Sequence, residues 1–254
     1  MLDSLEGNDA PGNRTTGART TTAVQTLDRA VLLLEVVADA GPIGFAGLAE
    51  ATGLTRPTVH RLVRALEEHG LLGRDGRGDL RLGSRLVGWG ARAARALGPA
   101  QVAGPVLEAL SARTGESAQL YVREGDRRVC VASAERASGL RDTVPLGASL
   151  PLIAGSGGAV LLAWAPDADR FPAVPPARLT EVRDLGWAES VGEREAGVAS
   201  VSAPVRDRGG AVVAAISVSG PVDRLGRRPG SRLAEPVLDA AAALERASGM
   251  QGPR

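Results

Sequence analysis

The stretch that decides the fold is LAEATGLTRPTVHRLVRALEEHGLLGRD, Leu48–Asp75. A short helical pattern from about Phe45 to Thr52 buries Leu48 and Ala49, and Gly53 suits the left-handed residue that closes such a helix. The next helix starts at once. Thr55 can cap it, and Pro57 is tolerated in a first turn whose backbone N–H has no intrahelical partner. At about 100° per residue, Val59, Leu62, Val63 and Leu66 share one face, while Pro57, His60, Arg61 and Arg64 share the opposite one. Gly70 ends the helix. The run LLGRD-GRG-DLRLG then reads as two short strands around the Gly76–Gly78 turn, with Arg77 at its tip. Before this stretch, Leu27, Val31, Leu34 and Ala38 recur at helical spacing and stop at Gly41-Pro42. Three helices, a tight turn and a two-stranded wing predict a winged helix-turn-helix.

Such a head reads DNA by placing its last helix in the major groove. Over Thr21–Ser84 seven Arg stand against eight acidic residues, so positive charge is local to the third helix and the wing. Arg61 and Arg64 are the candidates for guanine edges, because a guanidinium forms bidentate pairs there. Thr55, Thr58 and the wing arginines Arg74, Arg77 and Arg81 are candidates for phosphates. Arg56 and Pro57, at the helix entrance, are further DNA-binding candidates, and His60 is either a contact or a solvated surface residue. The same geometry also serves as a plain structural helix pair with a basic outside.

Composition narrows the remaining chemistry. The chain has 254 residues, 44% of them apolar and 23% charged, with a net charge of +1. It has room for one large domain or two modest ones. Every basic residue other than the two His is Arg, so no Schiff-base lysine and no GxxxxGK phosphate loop exists. The single Cys, Cys130, forms no disulfide framework and no thiolate metal site. It sits in an alternating run and reads as a small strand residue rather than a nucleophile. No cofactor and no metal is expected. Apolar runs are too short to cross a bilayer. Residues 1–20 read as a flexible tail without the pattern of a signal peptide, which predicts a cytoplasmic protein with no membrane partner.

The rest of the chain predicts a second domain. Ser84–Leu97 has a helical pattern carrying Arg85, Arg92 and Arg95, and Val102–Arg113 reads as another helix. Strands follow: AQLYVR, then RRVCVASA across Gly125-Asp126. Helices are expected over Gly158–Trp164, Leu179–Leu185 and Leu233–Ala247. GVASVSAPV and AVVAAISVSG flank Asp207–Gly210, a strong hairpin signal. A turn on Gly209-Gly210 sets Ser200 opposite Ser219 and Ser202 opposite Ser217. All four hydroxyls then share one face, with Val201, Ala203, Ile216 and Val218 on the other. That serine face is either the floor of a pocket for a compact polar metabolite or the solvent side of an antiparallel sheet. AGSGGA, Ala154–Ala159, precedes a helix whose free N–H groups can hold a carboxylate.

With these segments assembled, the chain resembles the IclR family of bacterial transcriptional regulators. The resemblance spans about Thr21–Met250 and rests on LDRAVLLLEVV, the Leu48–Leu72 stretch, TGESAQLYV, LPLIAGSGGAVLLAW, GVASVSAPV and VVAAISVSGP. ERASGLRDTVPLG and GWAESVGEREAGVASVSAPV look closest to an actinobacterial branch that regulates amino-acid biosynthesis, notably leucine. The resemblance implies an α+β chain with a DNA-binding winged helix-turn-helix over 21–83 and a linker helix over 84–98. A GAF-like α/β effector domain with an antiparallel sheet would occupy 99–250. It further implies a homodimer, or a tetramer of two, on a palindromic double-stranded operator, acting as repressor or activator. The family's effector pocket maps onto Ser156, Gly157, Val198, Ser200, Ser217 and Ser219, with Ser190 and Leu150 nearby, for an amino acid or keto acid. The chain departs from many members at Ile153-Ala154-Gly155, at Ser190 and at Ser200. Two other classes compete: a thiol-dependent GAF-type enzyme, and a dimerisation module that binds no effector.

Overall fold

The computed structural model describes residues 25–96 and 98–249, and the side chains of residues 94–98 are not part of that description. The tail expected over residues 1–20, the first residues of the expected head and the Arg95 side chain therefore lie outside it. The chain divides into two compact units between Trp89 and Gly90, inside the segment expected as a linker.

The first unit is built from α1 (Gln25–Ala40), α2 (Phe45–Thr52), α3 (Arg56–Glu68), β1 (Leu72–Arg74) and β2 (Leu80–Leu82). Gly53 has φ +64° and ends α2 as a left-handed residue, a conformation that costs a residue with a Cβ about 1–2 kcal/mol. Leu33 and Val37 of α1, Leu48 of α2 and Val59, Leu62, Val63 and Leu66 of α3 close on Leu72 and Leu80 of the wing. The wing strands are antiparallel, with Leu72 opposite Leu82 and Arg74 opposite Leu80. One tie was not visible in the pattern. Ile43 and Leu80 exchange backbone hydrogen bonds at 3.0 and 2.9 Å, pinning the wing to the α1–α2 connection. Thr55 does occupy the N-cap position, but its hydroxyl bonds the Thr58 hydroxyl at 2.9 Å and makes no cap to a backbone N–H.

α4 (Arg85–Ala96) leads into the second unit, followed by a 3-10 turn over Gly98–Val102, α5 (Ala103–Thr114), β3 (Ser117–Glu124), β4 (Arg127–Ala134) and β5 (Ser149–Pro151). α6 (Ser156–Ala163), α7 (Pro176–Leu185), β6 (Ala188–Val191), β7 (Val198–Arg206), β8 (Val212–Pro221), α8 (Val222–Leu225) and α9 (Gly230–Ala247) complete it. The six strands form one antiparallel sheet in the order β5-β4-β3-β8-β7-β6. The two units together make an α+β chain.

Alternation splits this sheet into two apolar faces. Leu120, Val201, Ala203, Ile216 and Val218 pack under Leu107 and Leu110 of α5 and Leu233, Val237 and Leu244 of α9. Tyr121, Cys130, Ala188 and Ala215 face α6 and α7, with Leu152, Val160, Leu162, Leu179 and Val182. α6 is buried along its whole length, as befits a helix apolar on every side. Among the described residues no helix is long and apolar enough to cross a membrane.

Candidate functional site

The outer face of α3 is the first candidate. Arg56, Pro57, His60, Arg61 and Arg64 are exposed and Thr58 is partly so, while the opposite stripe is buried. Arg64 has Glu68 one turn on at 3.6 Å, a pair between two largely exposed side chains that does little to restrain it. His60 lies edge-on to Phe45 of α2, with ring centroids 6.1 Å apart, so it helps fix how α3 leaves α2.

The wing arginines differ from one another. Arg77 stands exposed at the hairpin tip, where Asp75 takes its backbone N–H at 2.8 Å. Arg74 instead donates to Glu67 of α3 at 2.8 Å and to the Gly78 carbonyl. Arg81 donates to the carbonyls of Arg74 and Leu82. These two bind the wing to itself and to α3, and only Arg77 projects as a simple surface cation. The resulting surface has a buried apolar seam behind it and guanidinium groups in front, which suits phosphate and guanine recognition.

The second candidate lies between α6 and the β7–β8 hairpin. The register there matches the alternation: Ser200 faces Ser219 and Ser202 faces Ser217. The serine face is not a solvent face, because α6 covers it. The Ser156 hydroxyl shares hydrogen bonds of 2.7 Å with both Ser200 and Ser202, and Ser202 donates to Ser217 at 2.8 Å. Ser219 donates to Gln119 at 3.1 Å. A buried hydroxyl without a partner costs about 1–3 kcal/mol, so this network fixes α6 on the sheet.

Above the network is a cavity of about 20 Å³, room for a single water. Gly157, Ser190, Val198, Ser200, Ser217 and Ser219 line it as the family pattern implied. Ser156 lies beneath as a clamp. Leu150, on β5 opposite Arg128, packs among the apolar residues around Tyr121 without reaching the cavity.

Four charged or aromatic lining residues were missed: Tyr121, Arg128, Asp142 and Arg194. Two of them were accessible to the reading. A two-residue turn at Gly125-Asp126 pairs Tyr121 with Cys130 and Arg123 with Arg128, which puts Arg128 on the covered face beside Tyr121. Asp142 and Arg194 come from separate loops and meet in a two-oxygen contact at 2.7 Å, which no periodicity encodes. Burial holds the Tyr121 phenol well above its usual range and draws the Arg128 guanidinium below its own.

Room alone does not pick the site. A larger open groove of about 600 Å³ lies beside Arg123 and Phe171. Of its three arginines, Arg123 is already paired to both oxygens of Asp167 at 2.7 and 2.8 Å, Arg127 donates to Ser149, and Arg170 is exposed at the rim. The small cavity has the convergent polar groups that fix a ligand's orientation.

Cys130 has no such setting. It is buried on β4 with its Sγ 3.5 Å from the Ala132 carbonyl, and burial pushes the thiol up to about 11. At pH 8 the thiolate fraction is then on the order of one in a thousand. An aromatic disulfide reagent is expected to leave the folded protein unmodified over minutes and to titrate one thiol per chain in denaturant. Rapid reaction of the native chain would mean that the β3–β4 hairpin opens.

Comparison with known proteins finds a matching family for each of the two units. Residues 26–76 match the family described as IclR helix-turn-helix domain, and residues 92–174 and 176–246 match Bacterial transcriptional regulator IclR C-terminal. The chain is 30% identical to the DNA-binding transcriptional repressor YiaJ of Escherichia coli K12, over 87% of its own length and 86% of that protein's. It is 31% identical to the glycerol operon regulatory protein of Streptomyces griseus, covering 88% and 96% of the two chains. It is also similar to the crystal structure of an IclR homolog complexed with 4-hydroxybenzoate from Microbacterium hydrocarbonoxydans, with 26% identity and TM-score 0.72 over 89% of this chain and 99% of that one. These relatives are regulators, not enzymes.

Proposed function

The chain belongs to the IclR family of bacterial transcriptional regulators, and within that family we propose that it controls genes of amino-acid biosynthesis or metabolism in response to a small acid. It is a DNA-binding regulator with an effector-binding C-terminal domain. The finer reading is that α3 enters the major groove of a palindromic operator and Arg77 holds a phosphate of the flanking backbone. A homodimer, or a tetramer of two, would present two heads at half-sites one or more turns of about 34 Å apart. Val87 and Trp89 are exposed on α4, as expected of a linker helix that pairs with a second copy. The C-terminal unit, read as a GAF-like sensor of a cytoplasmic protein, would take an amino acid or keto acid. Effector binding would then bias the dimer between DNA-fitting and non-fitting geometries.

The observation that carries the DNA reading is the division of α3 into a buried apolar stripe and an outward stripe of His60, Arg61 and Arg64. Three things support the acid-sensing reading. The blocks ERASGLRDTVPLG and GWAESVGEREAGVASVSAPV resemble the amino-acid branch, the cavity holds a buried guanidinium, and one similar protein was crystallised with 4-hydroxybenzoate.

The test is binding of the purified protein to DNA from its own upstream region, against a scrambled fragment, over a salt series. The expected result is preference for the specific fragment and a steep fall of affinity with salt, with a slope in log–log form of about −0.9 per phosphate contacted. Equal binding to both fragments at every salt, with and without amino and keto acids, would remove the regulator reading of α3.

A further inference from the structure

Arg128 is the most unusual residue of the second unit. It is only 3% exposed, yet among the described residues no carboxylate lies within ion-pairing distance of it. Its Nη1 donates to the carbonyls of Pro151, at 2.8 Å, and Ala154. Its plane lies over the Tyr121 ring at 5.3 Å. Its Nε is buried and has no hydrogen-bond partner among the described residues. Buried charges are ordinarily paired, and an orphaned buried donor costs about 1–3 kcal/mol. The side chain runs under the first turn of α6: a Cβ built on Gly157 would stand 3.6 Å from Nε, and one on Gly155 would stand 3.1 Å from Nη2. The orphaned donor thus lies under the first turn of α6 beside Gly157, and both Arg128 and Gly157 line the cavity.

The same N-terminus already holds a carboxylate. The Gly155 N–H donates to Glu193 Oε2 at 3.0 Å, and Glu193 Oε1 pairs with Arg178 at 2.7 Å. The next residue, Arg194, closes on Asp142. Glu193 and Arg194 lie on a short strap, 193–196, between Gly192 at φ +71° and Gly197 at φ +84°. The strap thus fastens the cavity at two adjacent points, each an ion pair that is partly open to solvent. Behind it, only about 20 Å³ remains.

We propose that Glu193 is an internal stand-in for the carboxylate of the effector. A small carboxylate-bearing molecule displaces Glu193 from the Gly155 N–H, pairs with the orphaned Arg128 Nε and lies against the hydroxyls of Ser200, Ser217 and Ser219. The strap turns out on its two glycines as it does so, which gives the cavity the volume a metabolite needs. A single competition thereby couples effector charge to strap position. This inference rests on the acid-sensing reading and adds to it the internal group that the ligand's carboxylate must displace.

The test is calorimetric titration of the full chain with pyruvate and with benzoate, each beside its uncharged amide. A strap that is closed most of the time lowers apparent affinity by the fraction of open molecules. Glu193→Ala is therefore expected to bind the carboxylates at least about threefold more tightly than the parent chain, with Glu193→Gln between the two. Arg128→Met is expected to abolish binding, and the amides are expected to bind none of the proteins. Glu193 is at the surface, so its variants remain informative even if Arg128→Met does not fold. Carboxylate binding equally tight with and without Glu193, or amides bound as well as acids, would overturn the proposal and leave effector sensing in place. If no acid binds any variant but an uncharged metabolite alters DNA affinity, the proposal likewise falls and sensing stands. If neither charged nor neutral small molecules bind or alter DNA affinity, both readings fall together.

Discussion

Changing Arg61 and Arg64 together to alanine is expected to cost at least about 2 kcal/mol of specific DNA affinity, roughly thirtyfold, because a good guanidinium–guanine pair discriminates by about 1–3 kcal/mol. Both side chains stand on the exposed stripe of α3, so the fold should not register the loss. The Arg64–Glu68 contact is long and solvent-exposed and contributes little to stability. The core residues Val59, Leu62, Val63 and Leu66 are untouched, and far-UV dichroism and the melting midpoint are expected to match the parent. The informative comparison is Arg77→Ala. A phosphate contact carries no sequence information, so that change should weaken specific and scrambled DNA alike and reduce the salt slope by about one. The double change should instead bring specific binding down toward the scrambled level. Gel-shift or anisotropy titrations at two salt concentrations separate the patterns. A double variant with undiminished preference would take base reading away from α3.

The reading of the head succeeded because each of its signals is local. Gly53, Thr55, Pro57 and Gly70 mark the boundaries of α2 and α3 within a residue or two, and a period of 3.6 sorts buried from exposed side chains without knowledge of any neighbour. The wing was legible for the same reason, but the use of its arginines was not. Arg74 is committed to Glu67 and Arg81 to two carbonyls, and such commitments depend on how the hairpin folds back on α3. The Ile43–Leu80 bridge is likewise a contact between separated segments.

The same division runs through the second unit. The β7–β8 register followed from a turn and an alternation, and with it the serine face. What covers that face did not follow, since nothing in the strands says that α6 will lie there and bond Ser156 to Ser200 and Ser202. Helix ends also moved: α6 begins at Ser156 rather than Gly158, and α9 at Gly230 rather than Leu233. The two glycines that open α6 look like poor helix formers by propensity, yet close packing recruits them. β5 and β6 are too short to carry a periodic signal. Arg128 was the reachable omission. The expected turn at Gly125-Asp126 already put it on one face with Tyr121 and Cys130, and a charge beside those apolar neighbours raises the question of its partner.

Gly158→Ala is expected to be among the most damaging single methyls in the second unit. A Cβ at Gly158 would stand 2.0 Å from the Leu152 carbonyl oxygen, 2.9 Å from its carbon and 3.0 Å from Arg128 Nη1. Leu152 cannot yield easily. Its N–H donates to the Asp126 carbonyl at 3.1 Å, and its side chain is fully buried. α6 must therefore lift off the sheet, which strains a packed core by about 1–3 kcal/mol. Lifting α6 also loosens Ser156 from Ser200 and Ser202, at about 1–3 kcal/mol for each hydroxyl left without a partner. A loss of at least about 3 kcal/mol follows, or roughly 6–12 °C in melting midpoint for a domain of this size. Gly157→Ala provides the contrast one residue away. Its Cβ would meet Tyr121 at 3.4 Å and Arg128 at 3.6 Å, ordinary contacts, and alanine is the better helix former by about 1 kcal/mol. That variant should melt within a few degrees of the parent while placing a methyl at the wall of the cavity. Thermal denaturation of the two proteins side by side decides the matter: equal midpoints would mean that α6 does not press on the Leu152 carbonyl, and that the clamp beneath the cavity is looser than its hydrogen bonds imply.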